Sequence, residues 1–480
     1  LTHTAGAGRP RTGATFLVLC LGILSYALSQ SLVSPVLPTI QHHLHTSQST
    51  VTWVMTAYLL SASVATPVLG KIGDVVGKER MLLVALLALG AGSLLAALAS
   101  SIGVMIAARV IQGVGGGVLP LVFGIIRDEF PRDRVSGAIG TAAALMGVGG
   151  GLGIVVAGPI VNTLDYRWLF WLPLIVIAVA AVATHLFVPE SPVRAPGRIN
   201  LPAAALLSAW LVALLVPISE GSRWGWTSGR VLGLLALAVL LAAAWIAVEL
   251  RSAEPLIDMR MMRLPAVWTT NLVALLFGLG LYSLMAFLPA FVQTPPSAGY
   301  GFGASVTASG VFLLPMTVTM FFSGLAAGRL GLRFGARAVL ALGAVLLIPS
   351  MVLLATAHAE RWTIYLVAAL CGAGIGFAFS ALSALIVTAV PPAQTGAASG
   401  MNANIRTIGG SIGTAVTGSI ITSGAVGGLP RESGYTHGFW FLAGAAAVAL
   451  ATTLLVPKAR RATVAEPVRE AGTLVPAADN

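Results

Sequence analysis

Three charged positions stand out because their surroundings are so apolar. Arg109 and Arg406 lie inside stretches long enough to cross a bilayer. Asp74 lies in the short charged segment Gly70-Lys-Ile-Gly-Asp-Val-Val-Gly-Lys-Glu-Arg80, between two more such stretches. A guanidinium in hydrocarbon is costly unless it faces a protein interior or a water-filled space, so an arginine at such depth points to an ion path, a substrate path or a coupling device. Covalent and metal chemistry lack their parts. The sequence has no Ser/His/Asp set in one region, no paired carboxylates at membrane depth and no cluster with metal-ligand spacing, so neither an enzyme nor a cofactor or metal site is expected. Cys20 and Cys371 both fall within apolar runs, which argues against a disulfide framework. His42, His43 and His45 fit a solvated loop better than a metal site.

The elements that position these charges are membrane helices. Of 480 residues 57% are hydrophobic and 9% are charged, with a mean hydropathy of +0.92. Soluble domains carry about 25% charged residues. Apolar spans run at roughly 14–38, 49–69, 81–99, 103–127, 136–160, 168–188, 201–217, 231–250, 268–292, 306–327, 338–356, 363–390, 398–422 and 438–456, each near the length needed for a hydrocarbon core of about 30 Å. Fourteen spans put both termini on one side. If that side is the cytoplasm it holds 20 of the 27 Lys and Arg, against 5 on the other, with Arg109 and Arg406 within spans. That bias places both termini in the cytoplasm. The net charge of +11 therefore sets membrane orientation and does not indicate nucleic-acid binding.

A weaker copy of the charged segment, Gly328-Arg-Leu-Gly-Leu-Arg-Phe-Gly-Ala-Arg337, follows the first after 258 residues (328 − 70). The repeat divides the chain as six, two and six spans: a bundle over 14–188, two central helices with linkers over 189–267, and a bundle over 268–457. The polar tail 458–480 is expected to be disordered. Both charged segments are expected to be tight loops in water.

Within the spans, spacing places residues on shared faces. Arg109, Gly113, Gly116 and Pro120 line up at about 100° per residue, giving a cation above a strip where another helix can press close. In 136–160, Gly147, Gly151 and Gly158 share one face while Gly149, Gly153 and Ala157 share another, so this helix should pack tightly on two sides. Asn402, Arg406, Gly409 and Gly413 share a face, with Asp128, Glu129 or backbone carbonyls as candidate partners for Arg406. Tyr26, Gln30 and Ser34 make a polar stripe in the first span, and Asn271, Gly278, Tyr282 and Met285 make another in 268–292. If the halves are related, these stripes line one midplane cavity. None of the 16 Asp and Glu lies clearly in mid-membrane, which favours neutral or weakly anionic amphipathic ligands over quaternary cations.

The Asp74 segment, Arg109-Val-Ile-Gln-Gly-Val-Gly-Gly-Gly117 and the glycines of 147–158 resemble three motifs of the major facilitator superfamily. The span count resembles its fourteen-helix drug:proton antiporter branch, as do Leu37-Pro-Thr-Ile40, Arg167-Trp-Leu-Phe170 and Met401-Asn-Ala-Asn-Ile-Arg-Thr-Ile-Gly-Gly410. The resemblance implies an all-α polytopic protein of the major facilitator fold. It implies a proton-coupled exporter of drug-like amphipathic molecules, acting as a monomer in a bacterial plasma membrane. Its partners would be substrate, protons and lipid. Coupling and gating would fall to Asp74, Arg109, Gln112 and Arg406, and Gly70, Gly77, Gly149, Gly153 and Gly158 would be structural. By the same analogy Asp74 would meet cationic loop residues and the inner end of a helix from the other half. The sequence departs from the branch at Ser29, where an Asp is usual, at Val75, at Gly150 and Ile154, and at Leu332, the counterpart of Asp74. An exporter of a lipid or anionic lipid-linked metabolite is the alternative within transporters, and a transport-inactive receptor or scaffold is the alternative outside them. A reporter map of topology should place Lys78 and Lys458 on the same membrane face. Opposite faces would contradict the span count.

Overall fold

The computed structural model describes residues 12–51, 53–191, 200–423 and 430–457, with no strand among them. The expected tail 458–480 and most of the first linker lie outside the described residues. Counting helices of 20 residues or more, α1 is Thr12–Ser31, α2 Trp53–Val76, α3 Lys78–Ala97, α4 Ile102–Glu129, α5 Arg132–Thr163, α6 Trp168–Phe187 and α7 Leu201–Trp224. Then come α8 Gly229–Arg251, α9 Pro265–Gln293, α10 Val306–Phe334, α11 Ala336–Thr356, α12 Arg361–Ala389, α13 Thr395–Thr422 and α14 Glu432–Thr453. Among the described residues, twelve helices, drawn from α1 to α12, are long and apolar enough to cross a membrane. Helices α13 and α14, of 28 and 22 residues, carry more small and polar side chains.

Buried apolar side chains collect into separate cores. One joins α9 to α12 with α14 around Phe277, Leu288, Leu347 and Phe439. Two others lie among α1 to α6, around Ile23 and Leu86 and around Ile40 and Phe170. A fourth seats Leu207, Leu211 and Trp245 of α7 and α8 against Ile386 and Met401 of α12 and α13. In lipid the hydrophobic effect does not drive helices together, so packing depends on how closely backbones can approach. The two faces of α5 illustrate this. A Cβ on Gly149 would come within 2.5 Å of the Ala27 methyl on α1, and one on Gly158 within 2.6 Å of the Thr307 hydroxyl on α10. Helix α4 presses on α2 through Gly113 and Gly116, and Val114–Gly117 winds into a tighter 3₁₀ turn where three glycines adjoin.

The two charged segments differ from the loops expected. Each is helical apart from one glycine. Gly77, with φ +136°, is all that separates α2 from α3, and Gly335, with φ +88°, separates α10 from α11. The repeat spacing is kept, at 258 residues (335 − 77). A backbone at positive φ reverses the chain without a loop, which only glycine allows cheaply. The surroundings are unequal, however. Asp74 and Lys78 are fully buried, not solvated, whereas Leu332 at the equivalent of Asp74 is 69% exposed. A Cβ on Gly77 would sit 2.5 Å from the Glu190 carboxylate, while one on Gly335 meets nothing.

Alanine at either glycine should therefore cost about 1–3 kcal/mol of backbone strain. Gly77→Ala should lower the thermal midpoint of the detergent-solubilised protein further than Gly335→Ala. Equal shifts would show that the Glu190 contact adds nothing.

Candidate functional site

At one end of the helix bundle, two contacts of opposite sign join α2 and α4 to α12 and α13. The Asp74 carboxylate accepts hydrogen bonds from the backbone N–H groups of Gly396 at 3.3 Å and Ala397 at 3.1 Å, in the first turn of α13. Arg127 at the end of α4 donates to the carbonyls of Val387 and Val390, the latter at 2.7 Å, and to the Thr395 hydroxyl at 2.8 Å. A carboxylate thus faces a helix N-terminus and a guanidinium faces a helix C-terminus, each the favourable sign for the helix dipole. Lys78 lies 2.7 Å from Asp128 and 3.6 Å from Asp74, and Ser191 donates to Asp128. Small residues bring the backbones together here. A Cβ on Gly70 would be 2.5 Å from the Gly396 carbonyl, and one on Gly400 would be 2.8 Å from that of Thr66.

Arg109 is fully buried, which removes the possibility that it reaches out to the membrane surface. Its guanidinium donates to the carbonyls of Val54 at 3.0 Å and Ser29 at 3.1 Å and to Gln112 Oε1 at 2.8 Å, and lies 4.1 Å from the Tyr58 ring centroid. Gln112 in turn donates to the Ser93 hydroxyl at 2.7 Å. The Ser29 hydroxyl, where the resemblance leads one to expect a carboxylate, turns back to the Ser25 carbonyl at 2.8 Å. The cation is therefore held by main-chain oxygens and an amide, and among the described residues no acid pairs with it.

Beyond this seam lies a cavity of 280 Å³ between α1, α2 and α5 on one side and α9, α10, α12 and α13 on the other. Gln30, Tyr282, Met285 and Arg406 line it, together with Met146 and Phe379. Two small voids of 30 and 10 Å³ continue toward the seam, the first bordered by Tyr26 and the second by Asn402. Three expectations need correction. Asn271 does not reach the cavity, because Asn402 Nδ2 donates to its Oδ1 at 2.8 Å and the pair is spent between α9 and α13. Asp128 is not the partner of Arg406, being engaged by Lys78 and Ser191. The 402–413 face splits its tasks: Gly413 abuts the backbone of Leu279 on α9, while Arg406 turns to Phe379, 4.3 Å from the ring centroid. The side chain of Ser34 lies outside the described residues.

Sequence reasoning overlooked Arg127, Tyr58 and the methionines Met55, Met146, Met316 and Met320 around the cavity. A signal for Arg127 existed in the run Ile126-Arg-Asp-Glu129, where a cation closes an apolar helix. The four methionines are scattered over α2, α5 and α10, and only Met316 and Met320 share a helix.

The model of the Major Facilitator Superfamily matches residues 19–414 and 270–477. The chain belongs to this superfamily. Its relatives include the tetracenomycin C resistance and export protein of Streptomyces glaucescens, 28% identical over 88% of this chain and 78% of the relative. Multidrug resistance protein 3 of Bacillus subtilis is 27% identical over 88% of this chain and 81% of its own length. The fold of this superfamily member is also similar to solved structures. The human organic anion transporter MFSD10 matches with a TM-score of 0.68 at 18% identity, over 92% of this chain and all of that one. The proton:xylose symporter XylE matches with a TM-score of 0.66 at 15% identity, over 93% and 96%. At these identities the structures show the fold alone.

If the paired helix-end contacts hold the inner seam, Asp74→Asn and Arg127→Gln should each loosen it. The measurement is labelling of Ser399→Cys by an impermeant maleimide from the inner side, in a background without Cys20 and Cys371. Each variant should raise the rate several-fold. Unchanged rates would show that glycine packing alone closes the seam.

Proposed function

We propose that this superfamily member is a proton-coupled exporter of amphipathic small molecules, working by alternating access in a bacterial plasma membrane. The observation that carries the reading is the cavity between two sets of helices, lined by apolar and aromatic side chains, with the Asp74 and Arg127 contacts joining the same sets at one end. The resistance and export proteins among its relatives support the substrate class. In this reading all fourteen long helices span the membrane as six, two and six. The lobes are 14–188 and 268–457, the central pair with its linkers is 189–267, and both termini are cytoplasmic. The monomer is the working unit.

The inner contacts belong to a state closed toward the cytoplasm. Asp74 and Arg127 let go of α13 and α12 when the lobes rock the other way, and the cavity then takes substrate from inside. Arg109 serves coupling. It touches α1 through the Ser29 carbonyl and α2 through Val54, and Tyr58 lies between it and Tyr26, whose ring is 6.3 Å from that of Tyr58. Tyr26 borders the void that Arg406 also borders, so a change of occupancy there can bias the Arg109 site. The methionines suit varied ligands, since their unbranched side chains repack at little cost.

Efflux of a panel of fluorescent amphipathic dyes from proteoliposomes, with and without an imposed proton gradient, tests this reading. The gradient should accelerate export by the wild type. Arg109→Lys keeps the charge but cannot reproduce the planar set of donors, so its gradient-driven export should fall about tenfold or more. Full gradient-driven export by Arg109→Lys would remove Arg109 from coupling, and no effect of the gradient on the wild type would remove proton coupling.

A further inference from the structure

The fold treats two guanidiniums of its interior differently: Arg109 is fully buried and Arg406 is partly open to the cavity. Arg109 has three oxygen acceptors and an aromatic face. Arg406 has the face of Phe379, and among the described residues no carboxylate or hydrogen-bond acceptor reaches it. An aromatic ring attracts the charge but accepts none of the five N–H donors in the guanidinium plane. Arg406 is also, among the described residues, the one side chain that borders the large cavity and both inner voids. Its unmet donors therefore face the space in which a ligand would sit.

The walls decide what could complete it. Among the described residues no Asp or Glu lines any of the three spaces, so a cation in the cavity would meet a like charge and no counter-charge. A small hydrated anion would satisfy Arg406 but leave the apolar surface of Met285, Met316, Met320 and Ile154 in contact with water. An organic anion satisfies both. Its acidic group takes the guanidinium, which suits planar pairs of oxygens, and its body covers the thioethers and aliphatic chains.

We infer that the cavity is a binding site for amphipathic organic anions, with Arg406 holding the carboxylate, sulfonate or phenolate oxygen and the methionine wall receiving the apolar body. The direction of transport rests on the export reading above, whereas the site is a property of the cavity. A potential negative inside also favours outward movement of such a ligand. Tyr282 borders both the cavity and the larger void beside Arg406, and in this proposal its hydroxyl is the second donor to the same group.

The test compares two probes with one ring skeleton: 1-anilinonaphthalene-8-sulfonate and the neutral N-phenyl-1-naphthylamine. Full-length protein in phosphatidylcholine nanodiscs, free of anionic lipid, is titrated with each, and binding to empty nanodiscs is subtracted. The wild type should bind the sulfonate about tenfold or more tightly than the neutral probe. Arg406→Gln should bring the two affinities within about threefold of each other, and Arg406→Lys should keep a preference for the anion. Equal affinities in the wild type would overturn the proposal, and this comparison decides the matter even if Arg406→Gln fails to fold. Parallel loss of both probes in a folded Arg406→Gln would also overturn it, since Arg406 would then only shape the cavity. A sustained anion preference without export of either probe would leave the site and remove the export reading. Export without the preference would do the reverse.

Discussion

A charge held away from water must be given a partner, and the ions described in this helical interior meet that demand in different ways, one of them excepted. Asp74 is answered by helix N–H groups and Lys78, Arg127 by helix carbonyls and Thr395, and Arg109 by two main-chain oxygens and Gln112. Glu249 in α8 accepts from the Trp245 indole at 3.0 Å and from the backbone N–H groups of Leu256 and Ile257 at 2.8 and 3.2 Å, which ties the following linker to the end of its helix. Arg406 alone among these is left to the contents of the cavity. Charges that are fully answered fix helices in register, and the one that is not points to a ligand.

The second organising feature is where the backbones come closest. Gly70, Gly396 and Gly400 bring the end of α2 against the start of α13, and the glycines of α5 bring it against α1 and α10 along its length. Close approaches of this kind separate cleanly, because no side chains interlock across them. This seam accordingly consists of a few directional polar contacts over small-residue surfaces, which is what the proposed alternating access would require. Helix α7 adds an apolar flank against α2 and α13 through Leu207, Leu211, Leu60 and Met401.

Much of this was legible in the chain. Helical periodicity placed Gly147, Gly151 and Gly158 opposite Gly149 and Gly153, and the structure assigns those faces to α10 and α1. The 258-residue offset reappears in Gly77 and Gly335. Partner choice was not legible. Nothing near Arg109 in sequence announces that Val54 and Ser29 will supply its oxygens, or that Asn271 and Asn402, 131 residues apart, will satisfy each other. The charged segment around Asp74 read as a solvated loop because its composition is polar. Its burial follows from Lys78, Asp128 and the α13 N-terminus, contacts that exist only once distant helices meet. The methionine wall escaped notice for the same reason, since each helix contributes only one or two of its members.

The central claim is that the inner seam between α2 and α13 opens and closes in the working protein. Spin labels at Lys71→Cys and Ala393→Cys, on either side of that seam, would report it by pulsed electron spin resonance in liposomes. The account predicts two distances, a short one belonging to the closed contact described here and a longer one whose share changes with substrate or with an imposed proton gradient. A single short distance, unchanged by either, would contradict it.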